Sequence, residues 1–295
     1  MAAMTTMTER YDAAASRYDR WWAPVLAPTA LRLLRELDAF LAARPQATAL
    51  DIGTGTGTLT LAAARRWPGA RIIGTDLSAG MLAVAAARAR DELPTDAGRL
   101  RFETGPADAL PLPDASVDAV MSSFVFQLVP DRPAAMREAR RVLRPGGRLA
   151  VVTWRGEEPP FEPDDTLDDA LDELGDEVPD EPDDDEPPRS GNFSSAAAAA
   201  AQVRRAGFVR VRATAAELVH DYDPATYLDF LEQYGERGLF EDLDEPVRRR
   251  LRAATARRLA RLPREAFRWR MGVVTLTATN PPSPPDGKPS RRRRG

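Results

Sequence analysis

The chain has 295 residues, 43% of them hydrophobic, and a formal net charge of −4. This length provides a substantial core in one large domain or two small ones. The sequence contains no cysteine and a single histidine, His220, which excludes disulfides and thiolate sites, and we expect no metal site.

The amino-terminal sequence lacks the continuous apolar segment of a signal peptide. No apolar run approaches the ~20 residues that a membrane-spanning helix needs. We therefore expect a cytoplasmic protein without integral membrane association.

The pattern of apolar residues and chain breakers predicts two helices first, over 8–22 and 28–43. Strands and helices then alternate as far as residue 154, which predicts an α/β domain with a parallel sheet. The end of the chain differs, with one strand, two helices and a last strand. The predicted strands are 48–53, 70–76, 99–105, 118–129, 148–154, 208–222 and 267–280. The range 118–129 includes the residues that follow the fourth strand.

An acidic segment interrupts this alternation. Residues 157–188 hold 17 of the 45 acidic residues and no lysine or arginine, and residues 291–294 are four arginines. Such charge runs are typical of solvated, mobile sequence. We therefore predict a disordered insertion over 157–190 and a disordered basic tail over 281–295. A second interpretation is that the acidic segment screens a basic face or attracts a cationic partner.

A glycine-rich loop follows the first predicted strand in the sequence "LDIGTGTGT", residues 50–58. A dinucleotide fingerprint requires G-x-G-x-x-G, but Thr58 stands at its last position and the third glycine comes one residue early, at Gly57. No G-K-[ST] follows, which disfavours a phosphate-binding P-loop. Asp51 before the loop and Asp76 at the end of the second strand suit a ligand with an amine and a ribose.

Four segments in order resemble the motifs of class I S-adenosylmethionine-dependent methyltransferases. They are "LDIGTGTG", "GTDLS", "GPADALPLPDASVDAVMSSF" and "RVLRPGGRLAVVTW". The resemblance covers residues 47–154 well and is nearest to the small-molecule branch that includes the ubiquinone and menaquinone biosynthesis methyltransferases. It implies a Rossmann-like, doubly wound, mostly parallel seven-stranded sheet with an antiparallel last strand, amino-terminal helices and a helical lid.

The same resemblance implies a division of the chain. The amino-terminal helical cap is 1–46, and the S-adenosylmethionine-binding core is 47–156. Residues 191–280 complete the core and carry the lid at about 224–262. The resemblance also implies an enzyme acting on a small molecule, as a monomer or homodimer, with nucleic acid an unlikely partner.

The family's cofactor contacts carry over onto matching positions of this sequence. The glycine loop surrounds the methionine part, Asp51 assists through its amine, Asp76 binds the ribose, and Asp108 binds the adenine amine. Tyr11 and Tyr18 fit an amino-terminal pattern that closes over the cofactor. The expected cofactor residues are Tyr18, Asp51, Gly53, Thr54, Gly55, Thr56, Gly57, Asp76, Leu77, Met81, Ala107, Asp108, Ala109, Ser123 and Phe124.

Residues for catalysis are few. His220 is the one histidine that could act as a general base near neutral pH. Gln127 stands where many relatives have histidine, and it could only orient the acceptor because an amide is not a base. The nature of the acceptor stays open between oxygen, nitrogen and carbon nucleophiles. Two other functions also stay open, a protein or nucleic-acid methyltransferase and a cofactor-binding module without catalysis.

Overall fold

A seven-stranded sheet with helices on both faces organises the computed structural model, which describes residues 2–175 and 189–282. The strand order is β3-β2-β1-β4-β5-β7-β6. Strands β1 to β5 run parallel, and β7 lies antiparallel between β5 and β6. The predicted fold class is therefore confirmed. The strands are β1 Thr48–Ile52, β2 Arg71–Asp76, β3 Leu100–Thr104, β4 Val117–Ser123, β5 Leu143–Trp154, β6 Val209–Asp221 and β7 Arg268–Thr279.

Eleven α-helices lie within the described ranges. They are α1 Ala2–Trp21, α2 Ala23–Arg32, α3 Asp38–Ala42, α4 Thr58–Arg66, α5 Ala79–Glu92, α6 Arg132–Val142, α7 Glu162–Leu174, α8 Ala196–Arg205, α9 Pro224–Phe230, α10 Arg237–Asp242 and α11 Glu245–Leu259. None of them is both long and apolar enough to cross a bilayer.

The alternation of side chains along each strand divides the core into two layers. Ala49, Met121 and Val152 join the layer built with α2, α4 and the carboxyl-terminal helices. Leu50 and Val151 join the layer that α6 and α8 cover. Both faces of the central strands are buried, as in other parallel sheets.

The predicted helix over 28–43 is interrupted. Chain 23–42 forms α2, a 3₁₀ turn over Leu33–Glu36, and α3. The tighter winding of the 3₁₀ turn aligns residues three apart, and Leu34 and Leu37 are both buried against the sheet. The helical pattern was correct, but tertiary packing breaks the helix into three pieces.

The prediction of disorder over 157–190 is wrong for the first half of that segment. Residues 162–174 form α7, whose Leu167 and Ala170 are buried. The carboxylate of Glu173 binds Arg258 of α11 at 2.7 Å. Leu167, Ala170, Leu171 and Leu174 have helical spacing, but the density of acids around them hid that pattern. Residues 176–188 and the arginines at 291–294 lie outside the described residues.

Replacing Leu167 with alanine should reduce the free energy of unfolding by about 2–3 kcal/mol, because a buried leucine leaves a cavity. Leu31→Ala is the matched control, since Leu31 is 39% exposed and should cost less than about 1 kcal/mol. Urea denaturation measures both values. Equal losses in the two variants would show that α7 does not pack as described.

Candidate functional site

A cavity of about 230 Å³ opens at the carboxyl ends of β1 to β4. The strand order reverses between β1 and β4, and ligands of open α/β sheets bind beside such a reversal. Loops after all four strands supply its floor, and α1 with Tyr234 supplies its roof. The lining residues are Tyr11, Tyr18, Trp22, Leu26, Gly53, Gly55, Asp76, Leu77, Ser78, Met81, Gly105, Pro106, Ala107, Asp108, Ser123, Phe124, Val125, Gln127, Leu128, Val129, Pro130, Trp154 and Tyr234.

Asp76 at the end of β2 holds the floor of this cavity together. Its Oδ2 accepts a hydrogen bond from the Gly55 amide at 2.8 Å, and its Oδ1 accepts one from the Ser78 amide at 3.0 Å. Its backbone carbonyl accepts from the Gly105 amide at 2.9 Å. Each carboxylate oxygen keeps a second acceptor site. Burial raises the pKa of the Asp76 carboxyl above its ordinary value, and the amide hydrogen bonds offset part of that rise.

The glycine loop passes close to its neighbours. Gly53, Gly55 and Gly57 all have positive φ, the left-handed region that favours glycine. A Cβ on Gly53 would overlap the side chain of Val125, and one on Gly57 would lie 3.0 Å from the Cβ of Ala85. Gly53 therefore permits Val125 to pack against the loop, and Gly57 permits α4 to pack on α5.

Asp51 lies behind the loop and does not line the cavity. Its Oδ2 accepts from the Thr60 hydroxyl at 2.8 Å, and Thr60 Oγ1 lies 2.8 Å from Thr54 Oγ1. Its Oδ1 is buried and has no hydrogen-bond partner among the described residues. Burial raises the pKa of Asp51 to about 7.

Helix α1 covers the cavity because two of its acids bind α5. Asp12 accepts hydrogen bonds from the Ser78 hydroxyl and the Gly80 amide at the start of α5. Asp19, two helical turns later, pairs with Arg88 at 2.7 Å. Each acid follows a tyrosine, and these tyrosines, Tyr11 and Tyr18, line the cavity. Burial raises the pKa of both phenols.

Phe124 follows β4 with φ of 57°, which is unusual for a residue other than glycine. The Gln127 side chain donates to the Phe124 carbonyl at 2.6 Å and accepts from the Thr153 hydroxyl. The Phe124 ring lies 4.3 Å from the Trp154 ring. Gln127 therefore positions the strained loop at the cavity edge. Strained backbone of this kind is common at functional sites.

A second cavity of about 360 Å³ adjoins the first and shares Trp22, Gln127, Leu128 and Trp154 with it. Residues 189–192, where the chain returns after the acidic segment, form one side. The Gly191 amide donates to the Gln127 carbonyl at 2.9 Å, and Arg132 donates to the Gly191 carbonyl at 2.7 Å. The other lining residues are Glu158, Arg189, Gly191, Asn192, Trp269 and Met271.

Most of the predicted cofactor residues meet at the first cavity. Those that line it are Tyr18, Gly53, Gly55, Asp76, Leu77, Met81, Ala107, Asp108, Ser123 and Phe124. Thr54 and Thr56 line a smaller cavity beside the glycine loop. Three of the predicted residues line none of these cavities, namely Asp51, Gly57 and Ala109. The Asp51 carboxylate binds Thr60 behind the loop, and Gly57 is the residue just before α4.

The structure does not bring His220 to either of the two larger cavities. His220 lies on β6, where it pairs with Trp269 of β7. Its ring contacts that of Tyr222 at 4.3 Å, and Tyr222 contacts Phe230 at 5.7 Å. Burial lowers its pKa. Its role as a general base stays a prediction, since its partner on β7, Trp269, lines the second cavity whereas His220 itself does not.

Neither Glu158 nor Trp269 is among the residues predicted from the sequence for the site, although both line the second cavity. The Trp269 indole donates to Glu158 Oε1 at 3.1 Å across 111 positions of sequence. Glu158 lay in a segment interpreted as disordered, and Trp269 lay in a strand with no motif. Their proximity depends on the antiparallel insertion of β7, which spacing alone does not reveal.

Comparison with known proteins identifies the sheet core. Residues 50–151 match the model of a family described as "Methyltransferase domain". This segment is similar to the members of that family. The match confirms the predicted resemblance over the motif-bearing part of the chain.

Two curated relatives and one solved structure illustrate this similarity. The demethylmenaquinone methyltransferase of Thermus thermophilus is 43% identical over 103 residues, 35% of this chain and 45% of that protein. The trans-aconitate 2-methyltransferase of Deinococcus radiodurans is 41% identical over 117 residues, 40% and 42%. The crystal structure of the YcgJ protein of Bacillus subtilis has a TM-score of 0.54 and 19% identity, and the alignment covers 85% of this chain and 98% of that one. The chain spans less than half the length of these two curated relatives, and the structural likeness shows the fold.

Replacing Asp51 with asparagine should stabilise the protein at neutral and alkaline pH. The pKa of the Asp51 carboxyl is about 7 in the folded protein, above its ordinary value of 3.8. Its contribution to the free energy of unfolding is therefore largest below pH 3.8, and that contribution is lost as the pH rises through about 7. The gain in unfolding free energy should be greater at pH 8 than at pH 5, by on the order of 2 kcal/mol. Asp91→Asn, at an exposed position of α5, controls for the loss of one charge. A gain for Asp51→Asn that is equal at both pH values contradicts the burial argument.

Gly57→Ala should destabilise the protein more than Gly146→Ala. Both glycines have φ near +80°, but a Cβ on Gly146 has no atom within 4 Å, whereas Gly57 faces Ala85. We expect a loss of about 1 kcal/mol for Gly146→Ala and about 2–3 kcal/mol for Gly57→Ala. Thermal unfolding without ligand measures the difference. Equal losses would mean that α4 and α5 are less closely packed.

Proposed function

We propose that this chain is an S-adenosylmethionine-dependent methyltransferase that acts on a small-molecule acceptor. The observation that carries the proposal is the Asp76 carboxylate, fixed by two amides at the mouth of the glycine loop inside the segment that matches the methyltransferase family. Its free acceptor sites suit a pair of ribose hydroxyls.

The residues of the first cavity fit the three parts of this cofactor. Gly53 and Gly55 line this cavity and would place the backbone beside the methionine part. Asp76 would hold the ribose, and Leu77 and Met81 offer apolar contact to the adenine. Asp108, in the loop after β3, would accept from the adenine amine.

Bound S-adenosylmethionine supplies a methyl group on a sulfonium, which is already activated for displacement. The protein therefore contributes alignment and the exclusion of water. Helix α1 closes the cavity through Asp12 and Asp19, which places Tyr11 and Tyr18 over the cofactor end. Gln127 holds the Phe124 carbonyl and so fixes the passage between the two cavities.

The presence of a second cavity favours the hypothesis of an enzyme over that of a cofactor-binding module without catalysis. This cavity adjoins the first along Trp22 and Trp154, so a molecule in it would lie next to the cofactor. We assign it to the acceptor. The names of the two curated relatives specify different acceptors, so similarity does not choose among small molecules.

Asp76→Ala should weaken the binding of S-adenosylhomocysteine tenfold or more, because two hydrogen bonds to a charged group are lost. Isothermal titration calorimetry of the wild type and the variant measures the effect. Asp91→Ala, which removes a carboxylate from an exposed site, should leave the affinity unchanged. Equal affinity in Asp76→Ala and the wild type, or no binding by the wild type, would overturn the cofactor assignment.

A further inference from the structure

Three indole side chains form the walls of the second cavity. The ring centroids of Trp22 and Trp269 are 5.7 Å apart, and their planes meet at 60°. Those of Trp154 and Trp269 are 5.9 Å apart, and their planes meet at 86°. The planes of these rings are not parallel, so the three indoles border the cavity in different orientations. Tryptophan has the most favourable face for a cation.

A carboxylate lies beside these rings. Glu158 Oε1 accepts from the Trp269 indole N–H at 3.1 Å, which fixes an otherwise exposed side chain at the cavity mouth. Arg189 also lines this cavity and has interactions of its own. The Glu158 carboxylate is the charge that this hydrogen bond holds against the Trp269 ring.

The described residues that line the two cavities include no histidine and no lysine. Burial raises the pKa values of Tyr11, Tyr18 and Tyr234, so these phenols stay protonated and can donate hydrogen bonds but do not act as bases. The Gln127 amide is not a base, and Glu158, the carboxylate of the second cavity, already accepts a hydrogen bond from the Trp269 indole. An acceptor whose nucleophile must first lose a proton to a strong base is poorly served by this site.

We infer that the acceptor is an amine, bound in the second cavity with its nitrogen among the indole rings. This inference rests on the proposed methyl transfer. The lone pair of the neutral amine forms the new N–C bond while the S–C bond breaks and its electrons stay on sulfur. Positive charge thus moves from sulfur to nitrogen. A secondary or primary amine then releases its N–H proton to water.

The site is suited to this displacement of charge. The charge that develops on nitrogen meets the indole rings and the field of Glu158, so these groups stabilise the transition state more than the neutral amine. The side-chain oxygen of Gln127 accepts one hydrogen bond, from the Thr153 hydroxyl. Its second acceptor site could orient an N–H of the amine. An aliphatic amine that is protonated near neutral pH gives that proton to water before it reacts, so no base within the protein is required.

The binding test uses choline and 3,3-dimethylbutan-1-ol, which have the same shape and differ in charge. Quenching of tryptophan fluorescence in the presence of saturating S-adenosylhomocysteine reports occupancy of the second cavity. Choline should bind about tenfold more tightly than the neutral alcohol. Equal affinity for the two probes, or tighter binding of the alcohol, overturns the inference.

Glu158→Gln keeps the acceptor for the Trp269 indole and removes the charge. It should weaken choline binding about fivefold and leave binding of the alcohol unchanged. Glu157→Gln, at the exposed neighbouring position outside the cavity lining, is the matched control and should change neither affinity. Unchanged choline binding in Glu158→Gln, or an equal loss in Glu157→Gln, overturns the role of Glu158.

A turnover test separates this inference from the proposed function. Formation of S-adenosylhomocysteine from S-adenosylmethionine is measured with N-methylbenzylamine, benzyl alcohol and phenol as acceptors. Turnover of the amine alone supports the inference. Turnover confined to benzyl alcohol or phenol overturns the amine inference while methyl transfer stands. Failure of the wild type to bind S-adenosylhomocysteine in calorimetry instead removes the proposed function itself.

Discussion

The geometry of the site depends on one carboxylate that joins three loops. Asp76 binds the Gly55 amide of the loop after β1 and the Ser78 amide at the start of α5, and its own carbonyl binds the Gly105 amide after β3. The carboxyl ends of three strands are thereby held in one arrangement before any ligand arrives. Such preorganisation lowers the cost of ordering the site on binding. Because Asp76 is buried, its charge is sustained by those amides, and a ligand that donates further hydrogen bonds relieves its desolvation.

A second constraint acts from above the sheet, where separate parts of the chain meet over the cavities. Helix α1 is anchored on α5 by Asp12 and Asp19, and Trp22, the residue after α1, packs on Phe230 and Tyr234. Helix α7 of the acidic segment packs on α11 through buried apolar residues and ion pairs. We propose that this layer determines which acceptor enters, while the sheet below determines which cofactor binds. The two roles would then be able to change independently, as expected when function lies in sites carried by a common fold.

The parts of the molecule that short-range patterns predicted are the sheet and its loops. "DIGTGTGT" and Asp76 could be interpreted because a tight turn and a close ligand demand particular residues at particular spacings. The interpretation of 162–174 as disordered failed because charge density masked the spacing of Leu167 and Ala170. His220 was chosen for its chemistry, and the structure places it on β6 beside Tyr222. Glu158 and Trp269 meet only through the pairing of β5 with β7, a long-range contact that no local pattern encodes.

A crystal structure of the protein with S-adenosylhomocysteine tests the cofactor assignment most directly. We expect the ligand to occupy the cavity at the carboxyl ends of β1 to β4, with both ribose hydroxyls within hydrogen-bond distance of the Asp76 carboxylate. We also expect its sulfur to face Trp22 and Trp154, towards the second cavity. A ligand bound elsewhere, or one whose sulfur faces away from these two residues, would contradict that assignment.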